Sequence, residues 1–165
     1  MKVIVADSSP LIVFARSGML ELLRQVVGEI VLPQTVFEEC TGDLSKAGAQ
    51  SIADAFRSNL ITVLDDAQAL TTLPPMPMLD RGETSAIALA ITLGVPVLMD
   101  ERLGRQAAHA QGVAVVGSAG LLLAAKQRGL IEHVRPILER WQGYGYFLSP
   151  SLIANVLHRA NESQQ

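Results

Sequence analysis

Short, almost wholly apolar segments alternate along this chain with longer helical ones, and this alternation most constrains the fold. Strands buried on both faces of a sheet appear in sequence as continuous apolar runs, and parallel strands need a long connection, usually a helix. The pattern therefore predicts an α/β fold: a three-layer α/β/α sandwich around a central parallel sheet. The predicted strands are 3–6, 29–33, 60–64, 96–100 and 113–116.

Helical spacing of apolar residues, with glycine or proline at the ends, marks the connections between these strands. The stretch 65–79 contains three prolines, which do not suit a regular helix or a central strand, and predicts a surface loop. The predicted helices are 10–17, 19–26, 34–40, 48–58, 84–93, 102–111, 119–127, 134–141 and 150–161.

The composition limits the class of protein. The 165 residues, 49% of them hydrophobic, predict one domain, with a core over about 1–130 and a helical extension over about 131–165. A net charge of −3 excludes a bulk basic field for nucleic acid. We expect a cytoplasmic protein, because the apolar runs are too short for a bilayer, the chain enters a strand without a signal segment, and Cys40 has no partner.

Acidic residues occur where the predicted sheet would collect them. Asp7 follows the first strand and Asp100 ends the fourth. In an open parallel sheet, ligands bind in the crevice beyond the carboxyl ends of the strands. Glu39 lies in the helix after the second strand, and Glu83 begins the helix after the loop. The fold permits these four acids to share one crevice but does not require it.

Carboxylates without thiols or histidines suit hard cations such as Mg²⁺ or Mn²⁺. The three histidines, His109, His133 and His158, are scattered and lack the spacing of a zinc site. The sequence has no Gly-x-Ser-x-Gly elbow, Walker loop or Gly-x-Gly-x-x-Gly motif. Metal-assisted hydrolysis of a phosphodiester is the chemistry that remains.

Each acid also has a purely structural interpretation. Asp7 precedes a helix that Ser9 would cap, with Pro10 in its first turn. Glu83 stands three residues after Asp80, the spacing of a capping box, which is at least as good an explanation as a metal role. Asp100 follows a buried strand and also suits a helix cap.

The same ambiguity applies to nearby charges. Glu38 and Glu39 are adjacent, and a solvated helix face explains both. Arg102 and Arg105 are spaced to face a phosphate beside Asp100, although arginines in this arrangement more often form a plain basic helix face.

Four blocks in order carry a resemblance to a known family. They are Val-Ala-Asp7-Ser-Ser-Pro, Leu32-Pro33-Gln-Thr-Val-Phe-Glu-Glu39, Asp80-Arg-Gly-Glu83-Thr-Ser-Ala, and Val97-Leu-Met-Asp100-Glu-Arg-Leu-Gly-Arg105. Together they resemble the PIN-domain superfamily, and more closely a prokaryotic branch catalogued as a domain of unknown function. A closing block, Val115-Val-Gly-Ser118-Ala-Gly, also matches that branch, and the likeness covers roughly residues 3–130.

The resemblance implies metal-dependent cleavage of single-stranded RNA, with Asp7, Glu39, Glu83 and Asp100 holding Mg²⁺ or Mn²⁺. It also implies supporting roles for the hydroxyl groups that correspond to Ser8 and Ser118. Many relatives are toxins of toxin-antitoxin pairs, held inactive by a small antitoxin protein and commonly homodimeric. We therefore expect a toxin ribonuclease with no membrane association.

Two positions differ from the usual family pattern. Glu83 stands where aspartate is usual, and Leu98 stands where threonine or serine often precedes the fourth acid. These departures favour an alternative, a catalytically degenerate module that binds RNA or protein. A phosphoacceptor signalling domain fits poorly, because the lysine expected after the last strand is absent. The aromatic residues of the tail suit either an interface with a partner or packing onto the sheet: Trp141, Tyr144, Tyr146 and Phe147.

Overall fold

The computed structural model describes residues 2–163 and confirms the predicted fold class. Its centre is a five-stranded sheet in the order β3-β2-β1-β4-β5, and every neighbouring pair is parallel. Because the strands are parallel, their carboxyl ends lie along one edge of the sheet. The strands are β1 (Val3–Ala6), β2 (Glu29–Pro33), β3 (Ile61–Leu64), β4 (Val97–Leu98) and β5 (Val115–Val116).

Helices cover both faces of the sheet. They are α1 (Ser8–Arg16), α2 (Leu20–Val27), α3 (Gln34–Thr41), α4 (Ala49–Arg57), α5 (Ala67–Leu70), α6 (Arg81–Leu93), α7 (Arg102–Ala110), α8 (Ser118–Gln127), α9 (Arg135–Gly143) and α10 (Pro150–Arg159). Among residues 2–163, no helix is both long and apolar enough to cross a membrane.

Alternating strand residues divide the interior into two cores. Ile4 and Ala6 of β1 face a large core shared with α1–α4 and α8–α10. Val5, between them, faces a smaller core shared with α6 and α7. Successive side chains of a strand point to opposite faces, and both faces are buried here, which explains why the strands lack polar alternation.

The strand order creates a crevice between β1 and β4. The chain builds β1, β2 and β3 outward in one direction and then crosses to the other side of β1 to form β4. Val5 and Ala6 pair with Val97 and Leu98 in this register. A reversal of this kind separates the loops that follow the two strands and leaves an opening at their carboxyl ends. Asp7 and Asp100 follow those two strands.

Several predicted boundaries were wrong by a few residues. The last two strands contain only two residues each, where five and four were predicted. The helix predicted from residue 10 begins at Ser8, so its N-cap is Asp7 and not Ser9. Similarly, α8 begins at Ser118 with Gly117 as N-cap, because the Ser118 hydroxyl bonds to Asp100 across the sheet edge.

The stretch 65–79 is more ordered than a surface loop. It includes α5, and apolar residues such as Leu73 and Leu79 pack against the smaller core. Asp66 is buried and its carboxylate accepts a hydrogen bond from the Thr35 backbone N–H at 3.3 Å. This contact ties the stretch to the start of α3. It satisfies one of the backbone donors that a helix leaves free at its N-terminus.

The C-terminal helices join the larger core. Trp141 of α9 is fully buried, and its ring meets that of Phe14 edge to face at a centroid distance of 5.1 Å. The Trp141 indole N–H donates to the Ser17 hydroxyl at 3.2 Å. At the other end, Glu162 accepts hydrogen bonds from the backbone N–H groups of Val134 and Arg135. Residues 131–163 are therefore fastened along α1 and α8.

Candidate active site

Asp7 lies at the junction of β1 and α1, where its side chain is only 2% exposed. Its backbone N–H continues the pairing with β4 by donating to the Leu98 carbonyl at 3.0 Å. Its carboxylate accepts a hydrogen bond from the Ser8 N–H at 2.8 Å. Asp7 therefore both caps α1 and faces the crevice, so the structural and functional interpretations apply to the same residue.

Burial raises the pKa of Asp7 from 3.8 to about 7. The hydrogen bond from the Ser8 N–H opposes this rise, while the charges of Glu83, Asp80 and Glu39 add to it. Desolvation disfavours the charged form of a carboxyl, and nearby like charges act in the same direction. The charges of Glu83, Asp80 and Glu39 therefore act on Asp7 from its surroundings.

Glu39 extends from α3 over the start of α6. Its carboxylate lies so close to Gly82 that a Cβ there would be 2.4 Å from Oε2 and 2.9 Å from Oε1. Partial desolvation raises the pKa of Glu39, as does the charge of Asp80, and the Ser8 hydroxyl and Gly82 N–H oppose the rise. Glycine at position 82 thus makes room for the carboxylate. Both Glu38 and Glu39 are exposed, but Glu38 bonds instead to Gln34 on the outer face of α3.

Glu83 completes the capping box that its spacing from Asp80 predicts. The Asp80 carboxylate accepts from the Glu83 N–H at 2.7 Å, and the Glu83 carboxylate accepts from the Asp80 N–H at 3.0 Å. Desolvation raises the pKa of Glu83, and the charges of Asp80 and Glu101 contribute. Glu83 therefore has a structural role, yet it remains close enough to raise the pKa of Asp7.

Asp100 is held by three donors. The Ser118 N–H donates to Oδ1 at 2.9 Å, and the Ser118 hydroxyl donates to Oδ2 at 2.5 Å. The Tyr146 hydroxyl, from the loop between α9 and α10, also donates to Oδ2. Burial, and then the charge of Asp100, raise the pKa of Tyr146, so its phenol keeps its proton for this bond. Asp100 also lies close to Gly117, where a Cβ would be 3.2 Å from Oδ1.

The two arginines that follow Asp100 differ in their contacts. Arg105 donates to the Met99 carbonyl at 2.9 Å and lies against Gly117, so it supports the turn that presents Asp100. Arg102 is exposed in the first turn of α7. Both line a groove that borders Asp100, which places at least Arg102 where it could meet an anion.

The structure brings the four predicted acids to the carboxyl edge of the sheet. The charges of Glu39 and Glu83 both act on Asp7, and the charges of Asp7 and Asp100 both act on Tyr146. The donor chemistry fits a hard divalent cation, which would offset the desolvation and the repulsion that raise the pKa of Asp7. Within residues 2–163, however, no group of three or more Asp, Glu, His or Cys side chains is arranged to hold a metal ion. Glu83 and Asp100 are instead engaged by protein donors.

Two members of this region were not predicted as site residues. Asp80 was interpreted only as a cap, but its charge acts on Asp7, Glu39 and Glu83. The sequence feature that could have indicated this role is the proximity of Asp80 to Glu83. Tyr146 was grouped with the tail aromatics, and nothing in its local sequence indicates a bond to a residue 46 positions earlier.

The parallel sheet, the helices on both of its faces and the acidic residues along its carboxyl edge define the class of protein: an α/β/α domain with an acidic carboxyl edge. A family model described as DUF3368: PIN domain matches residues 3–162, and the chain belongs to this family of PIN domains. PIN domains are typically nucleases that use divalent metal ions. The match extends through the C-terminal helices, beyond the roughly 3–130 that the motifs cover.

The other comparisons add less. No curated protein matches the chain significantly. The similar solved structures include a domain of a functionally unknown protein from Methanocaldococcus jannaschii DSM 2661. It is 12% identical, covers 71% of this chain and 91% of its own, and has a TM-score of 0.45.

Proposed function

We propose that this PIN domain is a divalent-metal-dependent endoribonuclease that cleaves single-stranded RNA. The observation that carries the proposal is the position of Asp7 and Asp100 at the carboxyl edge of the sheet, beside the strand-order reversal, with Glu39 and Glu83 near enough to raise the pKa of Asp7. These four carboxylates would hold Mg²⁺ or Mn²⁺. When bound, the ion would supply an activated water and neutralise charge on the phosphodiester.

The protein's own residues have distinct roles in this proposal. Ser118 and Tyr146 orient the Asp100 carboxylate by donating hydrogen bonds to it. Ser8 supports Glu39 in the same way. Arg102 and Arg105 lie beside Asp100 and would contact the phosphate groups of the substrate.

The direct test is cleavage of an unstructured, end-labelled RNA by the purified chain. We expect cleavage with Mn²⁺ or Mg²⁺ and none in EDTA, followed on a denaturing gel. Metal-independent cleavage, or none with either ion, would contradict the proposal. A contaminating nuclease is excluded if Asp100→Asn, purified in parallel, is inactive.

A second candidate is a catalytically degenerate module that binds RNA or protein. The hydrogen bonds to the carboxylates of Glu83 and Asp100 favour this candidate, because carboxylate oxygens that already accept hydrogen bonds from the protein are less available to an ion. Mn²⁺ titration followed by calorimetry separates the candidates. A nuclease should bind Mn²⁺ in a manner that depends on Asp7, whereas a degenerate site should not bind it.

The toxin role, an antitoxin partner and a homodimer remain predictions from the family resemblance. If the chain is a toxin, inducing it in bacteria should arrest growth, and Asp7→Asn should relieve the arrest at equal expression. Sedimentation of the purified chain tests the dimer independently.

Gly82→Ala should impair cleavage without destabilising the fold. Alanine is favoured over glycine inside a helix by about 1 kcal/mol, but its Cβ would displace the Glu39 carboxylate. We expect cleavage to fall by roughly tenfold or more, since metal sites tolerate little misplacement of their ligands. Gly120→Ala in α8 is the matched control, because a Cβ there has no heavy atom within 4 Å. Equal activities of the two variants would contradict the role given to Glu39.

A further inference from the structure

A groove of about 880 Å³ begins at Asp100 and continues away from the acidic residues. Its walls are α1, one face of α7, the segment 144–149 that joins α9 to α10, and Leu152 of α10. We call it the C-terminal groove. The C-terminal helices thus do more than pack against the core: they form one wall of an opening that leads to a candidate catalytic carboxylate.

An aromatic side chain stands unusually exposed in this groove. Phe147 is 81% exposed, although the neighbouring Leu148 is buried and anchors the segment. Next to it, the Arg16 guanidinium lies over the Tyr144 ring, 4.2 Å from its centroid. Exposed aromatic rings alongside arginine are the features that proteins use to stack the bases of single-stranded nucleic acids.

The charge of the groove also suits a polyanion. Arg16, Arg102 and Arg105 line it, whereas the net charge of the whole chain is −3. Within residues 2–163, neither Arg16 nor Arg102 forms an ion pair with an acid. The acids at the groove, Asp100 and Glu101, lie at its end nearest the acidic edge.

We propose that the C-terminal groove binds the single-stranded substrate on one side of the bond to be cut, with a base stacked on Phe147 and phosphates at Arg102 and Arg16. This inference rests on the proposed nuclease function, because continuity with Asp100 is what makes the groove's occupant the substrate. The arginines that line the groove and the exposed Phe147 ring favour a nucleic acid over a protein segment or a second copy of the chain.

Binding can be measured separately from cleavage. In EDTA, we would follow the fluorescence anisotropy of a labelled oligouridylate of roughly a dozen nucleotides titrated with the full chain. Phe147→Ala should weaken binding by roughly tenfold, and Phe147→Trp should restore it because indole also stacks. Arg102→Gln should lower the slope of log affinity against log salt by about 0.7, the contribution of one phosphate contact to a single strand.

Matched controls come from outside the groove. Met78, 72% exposed, and Arg159, exposed on α10, do not line it, so Met78→Ala and Arg159→Gln should bind like the wild type. Wild-type affinity in Phe147→Ala, or no binding by the wild type, would overturn the proposal. So would a dimer that Phe147→Ala converts to a monomer in sedimentation, since the groove would then be an interface between copies.

The outcomes also separate this proposal from the proposed function. If RNA binding depends on Phe147 but no metal-dependent cleavage occurs, the RNA-binding role of the groove is supported and the nuclease function is contradicted. If Phe147→Ala cleaves RNA with an unchanged KM, the nuclease function is supported and the RNA-binding role of the groove is contradicted.

Discussion

An Asp7→Asn variant is expected to lose RNA cleavage and yet to unfold at a higher temperature than the wild type above pH 7. Cleavage should fall by at least roughly a hundredfold, the scale expected when an active site loses one key electrostatic group. Asparagine is as good an N-cap as aspartate, so the bond from the Ser8 N–H survives. The substitution therefore removes a charge without removing a structural contact.

The stabilisation follows from the raised pKa of Asp7, which is about 7 in the folded chain against 3.8 for the free group. Between these values the folded state binds more protons than the unfolded state, so the free energy of unfolding falls as pH rises from about 4 to about 7. Above pH 7 Asp7 is ionised in both states, and the full penalty for burying its charge lowers the free energy of unfolding, by an amount on the order of a few kcal/mol. Asp7→Asn lacks this penalty and should lose that part of the pH dependence.

Thermal unfolding in EDTA across pH 4 to 8 measures the effect. At pH 8 we expect the Tm of Asp7→Asn to exceed that of the wild type by roughly 5 to 10 °C, and the two to approach each other near pH 4. Mn²⁺ should raise the Tm of the wild type much more than that of the variant, because a ligand stabilises only the state that binds it. A Tm of Asp7→Asn below that of the wild type at pH 8 would contradict the buried, repelled carboxylate described above.

The sequence predicted those parts of the site that depend on strand order and local spacing. Asp7 and Asp100 end two apolar strands, and in a parallel sheet this alone places them at one edge. The Asp80–Glu83 capping box follows from a spacing of three residues. Such features involve neighbours in the chain, for which periodicity and spacing are sufficient evidence.

Contacts between distant segments could not be predicted in this way. Asp66 meets the backbone of Thr35, and Tyr146 meets Asp100, because the fold brings together segments whose local sequences are compatible with many partners. The N-cap of α1 was misplaced for a different reason. Asp7, Ser8 and Ser9 are all good caps, and the end of β1, fixed by pairing with β4, decides among them.

Trp141→Ala is expected to cost roughly 3 to 5 kcal/mol of stability, the range for removing a large buried aromatic side chain. The indole packs against Phe14 of α1 and against Tyr146, whose ring centroid is 6.0 Å away. Its loss should therefore loosen the C-terminal helices and also the Tyr146 hydroxyl that holds Asp100. Reduced cleavage should accompany the reduced stability, even at temperatures where the variant remains folded.

Urea unfolding tests this prediction. The unfolding is followed by far-ultraviolet circular dichroism, because Trp141 is the single tryptophan and Trp141→Ala has no tryptophan fluorescence. Trp141→Phe should recover part of the stability, because one aromatic ring is retained, while the bond to the Ser17 hydroxyl and the packing of the second indole ring are lost. Phe147→Ala, six residues along and largely exposed, should change the free energy of unfolding by no more than about 0.5 kcal/mol. If Trp141→Ala were as stable as Phe147→Ala, the C-terminal helices could not be integral to the core. Tyr146 would then hold Asp100 without support from the indole beneath it.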